Sequence, residues 1–532
     1  MKKRIVIALL CLTLTCALTA CNLAEFELDG IVGELLGNID LPGENLEVIE
    51  PEPPVGGGVS PKTEQAETTP NVGWETETWI EEMWTEDVTY SEIETEGPWV
   101  ELPMHMYEGE RLTLLGIHQH DVGSERSGDS MEEATYARNA ALTAYCGIEV
   151  DGVLVEQTAL YDQVLNDVMA GSSDYDIVFG SIASDGSRLA QNGALVNLSG
   201  LPWVDLTHER WDEDIYNGLA YGSYLPMATG SITPDAMLKT SVILFNPELA
   251  EQNHIDMYSY VMDGGWTIEK MLGMVENNYV DLNGNGMADA DADLFSYVST
   301  FEGAQAFATG ADVSIFVKDE AQIPSINEGL DQVVWVYNVL YSMVGNIASV
   351  YVTMNDVMQD YDQLQMPEKV FADGRALFYG ATLEQAMNMV NTSTQFGMVP
   401  YPKATLDARE YRSYVDCNAT AVMVPQSVRN QDFSGYALEA LGQYNNGLYD
   451  GSLSMRICSS PEDVEMLQLI LESKTFDFGC NYMALTDSEK VMLFRIALEN
   501  GNSAIGSMWQ KQEKALEKQL KKLCAQMEWA IG

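Results

Sequence analysis

Apolar and polar positions alternate along the middle of this chain in a regular succession of short blocks. Leu112-Thr113-Leu114-Leu115-Gly116-Ile117 is a brief apolar run with β character, which predicts a buried strand. From 130 to 146 the positions Ala134, Ala137, Ala141 and Tyr145 recur at helical spacing. A second helical stretch over 160–169 runs into Asp176-Ile177-Val178-Phe179-Gly180, a buried-strand pattern ending in glycine. Strand, helix, helix, strand is the order of a parallel α/β sheet. Further on, the pattern predicts a strand at Val242-Ile243-Leu244-Phe245, a helix after Trp266-Thr267 and a long helix over 332–344. A strand at Ala376-Leu377-Phe378-Tyr379-Gly380 follows, then helices from Glu462 to the end. No short-period repeat interrupts this order.

Before position 111 the pattern is different. Lys2, Lys3 and Arg4 precede an apolar run over 5–17 that is too short to span a bilayer comfortably, which marks residues 1–20 as a signal peptide. Leu18-Thr19-Ala20-Cys21 resembles the bacterial lipoprotein box, so acyl chains on Cys21 are expected to hold the chain at the extracellular face of the cell membrane. At about 0.8 kcal/mol per buried CH₂, two or three such chains anchor a soluble body without a transmembrane helix. Residues 21–110 read as an acidic, extended, disordered linker whose only basic residue is Lys62. Trp74, Trp79, Trp84 and Trp99 are its one departure from that composition.

The 532 residues carry a formal charge of −54, which repels nucleic acid and anionic lipid alike and excludes both as partners. An apolar content of 46% is that of a globular chain with room for two or three domains. Past the signal and Cys21, the cysteines are Cys146, Cys417, Cys458, Cys480 and Cys524, with no C-x-x-C pair. That excludes a dense disulfide framework; buried thiols, or a single bridge among the last four, are expected.

From about 112 to 482 the order of motifs resembles bacterial extracellular solute-binding proteins of ABC importers, in the branch that mostly carries sugars. The likeness rests on Arg138-Asn139, Tyr175-Asp176-Ile177-Val178, Asn192-Gly193-Ala194-Leu195, Trp203-Val204-Asp205-Leu206 with Trp211, and Leu244-Phe245-Asn246-Pro247. It continues through Gly265-Trp266-Thr267, Gly374-Arg375-Ala376-Leu377-Phe378, Phe396-Gly397-Met398-Val399-Pro400-Tyr401-Pro402, Val424-Pro425 and Glu439-Ala440. Pro247 stands where that family usually has lysine. The resemblance implies an α/β, two-lobe periplasmic-binding-protein-like fold of type II. Lobe 1 would comprise 111–241 plus 425–460, lobe 2 would comprise 242–424, and 461–532 would form C-terminal helices on the lobes. A solute bound in the cleft would favour the closed form and permease subunits would read that closure, with ATP hydrolysis belonging to a partner chain. A small soluble glycan is the expected ligand, and a monomer the expected state.

Ligands in open α/β sheets sit beyond the carboxyl ends of strands, and sugars need aromatic faces with polar groups around them. On that ground His118, Gln119, Ser181, Trp211, Tyr379 and Tyr401 are the ligand-binding candidates, while Trp266, at a helix start, is expected to pack. Asp281-Leu282-Asn283-Gly284-Asn285-Gly286-Met287-Ala288-Asp289 places oxygens as an EF-hand loop does, so a structural Ca²⁺ is expected from Asp281, Asn283, Asn285, Met287 and Asp289. Position twelve is Ala292, leaving Asp291 or Asp293 to close the shell; an Asn-Gly turn is the plain alternative. His118 and His120, two apart, could begin a zinc site, but no third ligand follows at informative spacing. No nucleophile elbow, zinc-protease or P-loop motif is present, and no catalytic residue is assigned. The reading is a non-enzymatic receptor, with a calcium-stabilised adhesion protein as the alternative.

Overall fold

The computed structural model describes residues 102–123, 128–276, 279–300, 303–346, 348–353, 365–445, 447–482 and 505–531. The expected signal segment, Cys21 and the linker with its four tryptophans lie outside the described residues, apart from 102–110. Strands β1 (Arg111–Gly116), β2 (Glu149–Leu154), β3 (Ile177–Ser181) and β4 (Met227–Ala228) open the first lobe. The second is formed by β5 (Ser241–Phe245), β6 (Phe295–Thr300), the hairpin β7 (Phe316–Lys318) and β8 (Pro324–Ile326), β9 (Val350–Thr353), β10 (Ala376–Thr382) and β11 (Gly397–Val399). β12 (Ser413–Tyr414), β13 (Thr420–Met423) and β14 (Lys474–Thr475) complete the set. The first sheet has the order β2-β1-β3-β13-β4 and the second β11-β5-β10-β6-β9. Each sheet is mixed: β1 runs parallel to β2 and β3 while β13 runs antiparallel to β3, and β10 runs parallel to β6 but antiparallel to β5.

Local chemistry explains the elements. The helix Ser130–Cys146 starts because Asp129 accepts from Met131 N at 2.9 Å, and it stops at Gly147, whose φ of 70° suits only a residue without Cβ strain. Its buried face, Met131, Ala134, Thr135, Arg138, Leu142 and Cys146, follows the 3.6-residue period. Pro247 occupies the first turn of the helix Pro247–Gln252, where its missing N–H costs nothing, and Asn246 caps it through Leu249 N at 3.1 Å. Trp266 packs as expected: it is fully buried, its ring lies 5.8 Å from Phe378, and Nε1 donates to Pro400 O at 2.8 Å.

β2 escapes the sequence reading. Its alternating, half-exposed EVDGVL pattern with a central glycine lacks the continuous apolar run of β1 and β3, because β2 lies at the sheet edge.

Two boundaries move. β13 pairs with β3 at Thr420↔Ser181, so Thr420–Met423, assigned above to lobe 2, belongs to the first sheet. The chain therefore crosses between lobes just ahead of β5 and β13, where Thr240 bridges Val415 and Asp416 N donates to Lys239 O at 3.2 Å. Apolar strands look alike whichever sheet they join, and only pairing register separates them. The end of the expected linker is also folded. Tyr107 hydrogen-bonds Asp432 and packs its ring 5.1 Å from Phe433, and Tyr436 OH donates to Pro103 O at 2.9 Å.

A third connection runs through β14, which pairs with β12 and then seats Phe476 N on Asp214 Oδ2 at 2.9 Å. Gly218 makes that seat possible, since a Cβ there would lie 2.0 Å from Phe476 Cβ. The last helix, Ile505–Ile531, buries Trp509, Leu516, Leu520, Leu523 and Met527 and packs on elements of both lobes, the helix Ser187–Gln191 and strand β8. All five described cysteines are thiols. No described helix is long and apolar enough to cross a membrane.

Candidate functional site

The carboxyl end of β1 is held by a network that begins on the helix Ser130–Cys146. Arg138 is fully buried and donates to Asp121 O at 3.0 Å and to Tyr449 OH at 3.1 Å; Asn139 Nδ2 donates to Val122 O at 2.8 Å, and Thr135 Oγ1 to His120 O at 2.6 Å. These bonds satisfy the backbone of the turn 118–122 from below, so its side chains project from a fixed platform. Arg138-Asn139 thereby has a physical role.

On that platform the strand ends at Gly116, and His118 and His120 sit in the turn and the short helix Gln119–Val122 rather than on one strand face. Their rings nevertheless stack, 4.9 Å apart and 19° from parallel. Across from them stands Asp235, on the helix Pro234–Leu238 between β4 and β5. Its Oδ2 accepts from Thr420 N at 2.9 Å and lies 3.4 Å from Lys239 Nζ, while its Oδ1 faces His118 Nε2 at 3.9 Å and His120 Nε2 at 3.7 Å. Burial pushes the His118 imidazole below its ordinary pKa. Burial acts the same way on His120, yet the Asp235 and Asp121 carboxylates outweigh it and hold that imidazole above its usual value. Asp121, fully buried, has its carboxyl raised by burial; the Asp235 carboxyl resists its own burial and is depressed by His120, Lys239 and His118.

The second lobe closes on this region. Thr382 ends β10 and caps the helix Leu383–Met389 through a capping box with Gln385. That helix packs on Pro234–Leu238, and its Glu384 adds negative charge near Lys239. The seam thus carries imidazole, carboxylate, ammonium and hydroxyl groups from both sheets.

Of the expected contacts, His118 and Gln119 lie here, both partly exposed. Ser181, Trp211, Tyr379 and Tyr401 do not offer a surface: each is under 5% exposed. β10 continues past Gly380 to Thr382, so Tyr379 is mid-strand and packs on Phe371, while Tyr401 stands edge-on to Phe307 at 5.0 Å. Ser181 Oγ accepts from Ser184 N at 3.3 Å and shapes the π-turn Ile182–Gly186, where burial lifts the Asp185 carboxyl to about 6. β10 outlasts its apolar run, which leaves Tyr379 three residues inside the strand, whereas Tyr401 follows the end of β11 and is covered by packing against Phe307. Asp235, Lys239 and Glu384 were missed, because nothing local ties Asp235 to histidines more than a hundred residues earlier.

The loop 281–293 is wound on its own side chains. Asp281 accepts from Gly284 N at 2.6 Å and Gly286 N at 2.8 Å, Asn283 from Asn285 N at 2.9 Å, and Asn285 from Met287 N at 2.7 Å; Asp289 accepts from Asp291 N at 3.0 Å. Asp293 is otherwise engaged, accepting from Tyr279 OH at 2.7 Å, Leu282 N at 3.1 Å and Asp289 N at 2.8 Å. It braces the loop, which leaves the exposed Asp291, 3.5 Å from Lys369, as the acid at its rim.

A groove of about 710 Å³ also runs along the seam, lined by Asp214, Asn217, Arg409, Arg412, Glu472 and Lys474. A smaller pocket of about 200 Å³ shares Asp214 and Arg412 with it and reaches Lys318 and Phe478. Neither touches His118, Ser181 or Thr382, so neither opens at the strand ends where the titratable cluster lies.

No protein-family model matches the chain, and no curated protein matches it. Among solved structures, the maltose-binding periplasmic protein MalE from Listeria monocytogenes in complex with maltose superposes with a TM-score of 0.51 at 13% identity, covering 78% of this chain and 98% of that one. A cyclo/maltodextrin-binding protein complexed with maltotetraose gives 0.50 at 12% identity, covering 82% and 98%. At such identities the likeness shows the fold, and the two-lobe α/β architecture expected from the motif order is the one observed.

Proposed function

We propose that this chain is the solute-binding receptor of an ABC importer, held outside the cell by lipid on Cys21, and that it takes a soluble oligosaccharide between its lobes. The observation that carries the reading is the seam itself: two five-stranded sheets joined by short crossings, with polar groups from both lobes meeting at strand carboxyl ends. A solute touching both lobes stabilises the closed form by its extra affinity for it, and closure is what a permease can read. The fold neighbours crystallised with maltose and maltotetraose support the choice of glycan.

Calorimetric titration of the tag-free chain with maltose, maltotetraose and a panel of other glycans tests the reading. One-site saturable binding is expected, and Gln119→Ala is expected to lower affinity about tenfold, the worth of one direct hydrogen bond. Binding only to a protein or polymer surface would point to the adhesion alternative instead.

We also propose that the loop 281–293 holds a structural calcium ion of modest affinity, because Asp281, Asn283 and Asn285 stand at the spacing of a calcium loop and wind its backbone on their own side-chain oxygens, while a bidentate twelfth ligand is replaced by Ala292. Calcium in excess should raise the melting temperature over that in chelator. Equal temperatures count against it.

A further inference from the structure

We infer that His118, His120 and Asp235 form a binding site for a zinc-class divalent cation at the interlobe seam. One nitrogen from each histidine and one carboxylate oxygen lie within 4.8 Å of one another. Two features make this cluster more than a chance meeting of polar groups.

The first is how the Asp235 carboxylate is divided. Oδ2 is consumed by Thr420 N and by the Lys239 ammonium, whereas Oδ1 is the atom toward which both imidazoles point. The second is that both Nε2 atoms are buried from solvent and neither makes a hydrogen bond. Separations of 3.9 and 3.7 Å are too long for N–H···O bonds. They are close to the separation of about 3.3 Å between neighbouring ligands that follows from tetrahedral bonds of about 2.0 Å. A cation seated between the three atoms would satisfy two orphaned nitrogens and one oxygen at once, after side-chain rotations that draw atoms now within 4.8 Å of one another toward tetrahedral spacing.

The donor set selects the ion. Imidazole nitrogen with a single carboxylate oxygen suits zinc, nickel or cobalt, and falls short of the six or more oxygens that calcium takes. Lys239 stands 3.4 Å from the far oxygen, and Asp121, Glu384 and Asp416 supply negative charge around it. Three protein ligands leave a fourth position. The His118 side chain is a third exposed as a whole, while its Nε2, like that of His120, is buried. Arg138, Asn139 and Thr135 hold the backbone of the histidine turn, as a metal site requires of its outer shell.

The test uses tag-free protein stripped with chelator and titrated calorimetrically with zinc chloride, with magnesium chloride as control. One zinc per chain is expected, with no magnesium signal, and cobalt(II) should give the visible absorption of a four-coordinate nitrogen-oxygen site. His118→Gln and His120→Gln should each lower zinc affinity at least about tenfold while keeping the wild-type melting temperature in chelator. Asp235→Asn should do the same, but it also alters the Thr420 bond, so the histidine variants decide. Absence of stoichiometric zinc binding, or binding that both histidine variants leave unchanged, overturns the site. The outcome does not depend on whether any glycan binds.

Discussion

Glu439→Ala is expected to destabilise the chain by about 3–5 kcal/mol, the range for removing one partner of a buried ion pair. Glu439 and Arg210 have side chains 0% and 4% exposed, joined by an Nη1–Oε1 contact of 2.5 Å. The pair ties the helix Gln431–Asn445 to the segment ahead of Trp211, and Gly442 makes room for it, since a Cβ there would come within 2.9 Å of Arg210 Cδ. Burial raises the Glu439 carboxyl and lowers the Arg210 guanidinium, each partly countered by the other, so the charges are tolerated only together. Removing the carboxylate strands a guanidinium in a place that water does not reach. The double variant Glu439→Ala with Arg210→Met should therefore lose less than Glu439→Ala alone. Urea unfolding of the three proteins measures this, and a single-variant loss below about 1 kcal/mol would falsify the claim that the pair is desolvated.

Lys318 should make stability rise with pH between about 7 and 10. From the β7–β8 hairpin of the second lobe its ammonium donates to Tyr216 O at 2.7 Å and Ala220 O at 2.6 Å, at the carboxyl end of the short helix Ile215–Leu219 in the first. It also stands 4.7 Å from the Phe478 ring. Burial pushes its pKa from 10.5 down to about 7, only partly opposed by Asp214. In the folded chain the amine is thus neutral over a window in which the unfolded chain keeps its proton. Because the unfolded state binds more protons there, unfolding free energy increases with pH, at up to about 1.4 kcal/mol per unit. Below pH 7 both states are protonated and the dependence vanishes. Lys318→Met removes the titrating group but keeps the stem, so the stability difference between wild type and variant should grow from pH 7 to pH 9.5, where other groups cancel. A difference that stays flat over that range would show that the ammonium keeps its charge across the seam.

Much of the fold was legible in the chain because its strands are buried on both faces. β1, β3, β5 and β10 each appear as short apolar runs, and the helices between them carry caps and glycine stops that operate over a few residues. β2 was not legible, since an edge strand alternates weakly, and neither was the allegiance of β13, since an apolar run does not name its partner. Among the candidate contacts His118 and Gln119, chosen by position after β1, are the ones that stay partly exposed. Tyr379 and Tyr401 were chosen by the same rule and are core, because β10 runs three residues past Tyr379 and Tyr401, beyond β11, is covered by Phe307, a neighbour that only the tertiary fold supplies.

Hydrophobic order along the chain determined that this protein is built of α/β sheets, because burial is read locally and the period of apolar residues records it, while its division into two lobes was implied by the family resemblance that the order of motifs carries. The meeting of His118 and His120 with Asp235, of Arg210 with Glu439, and of Lys318 with the helix across the seam was decided only in three dimensions. Those partners lie roughly one hundred to more than two hundred residues apart, and the interaction of charges depends on distance and desolvation, neither of which a linear spacing encodes.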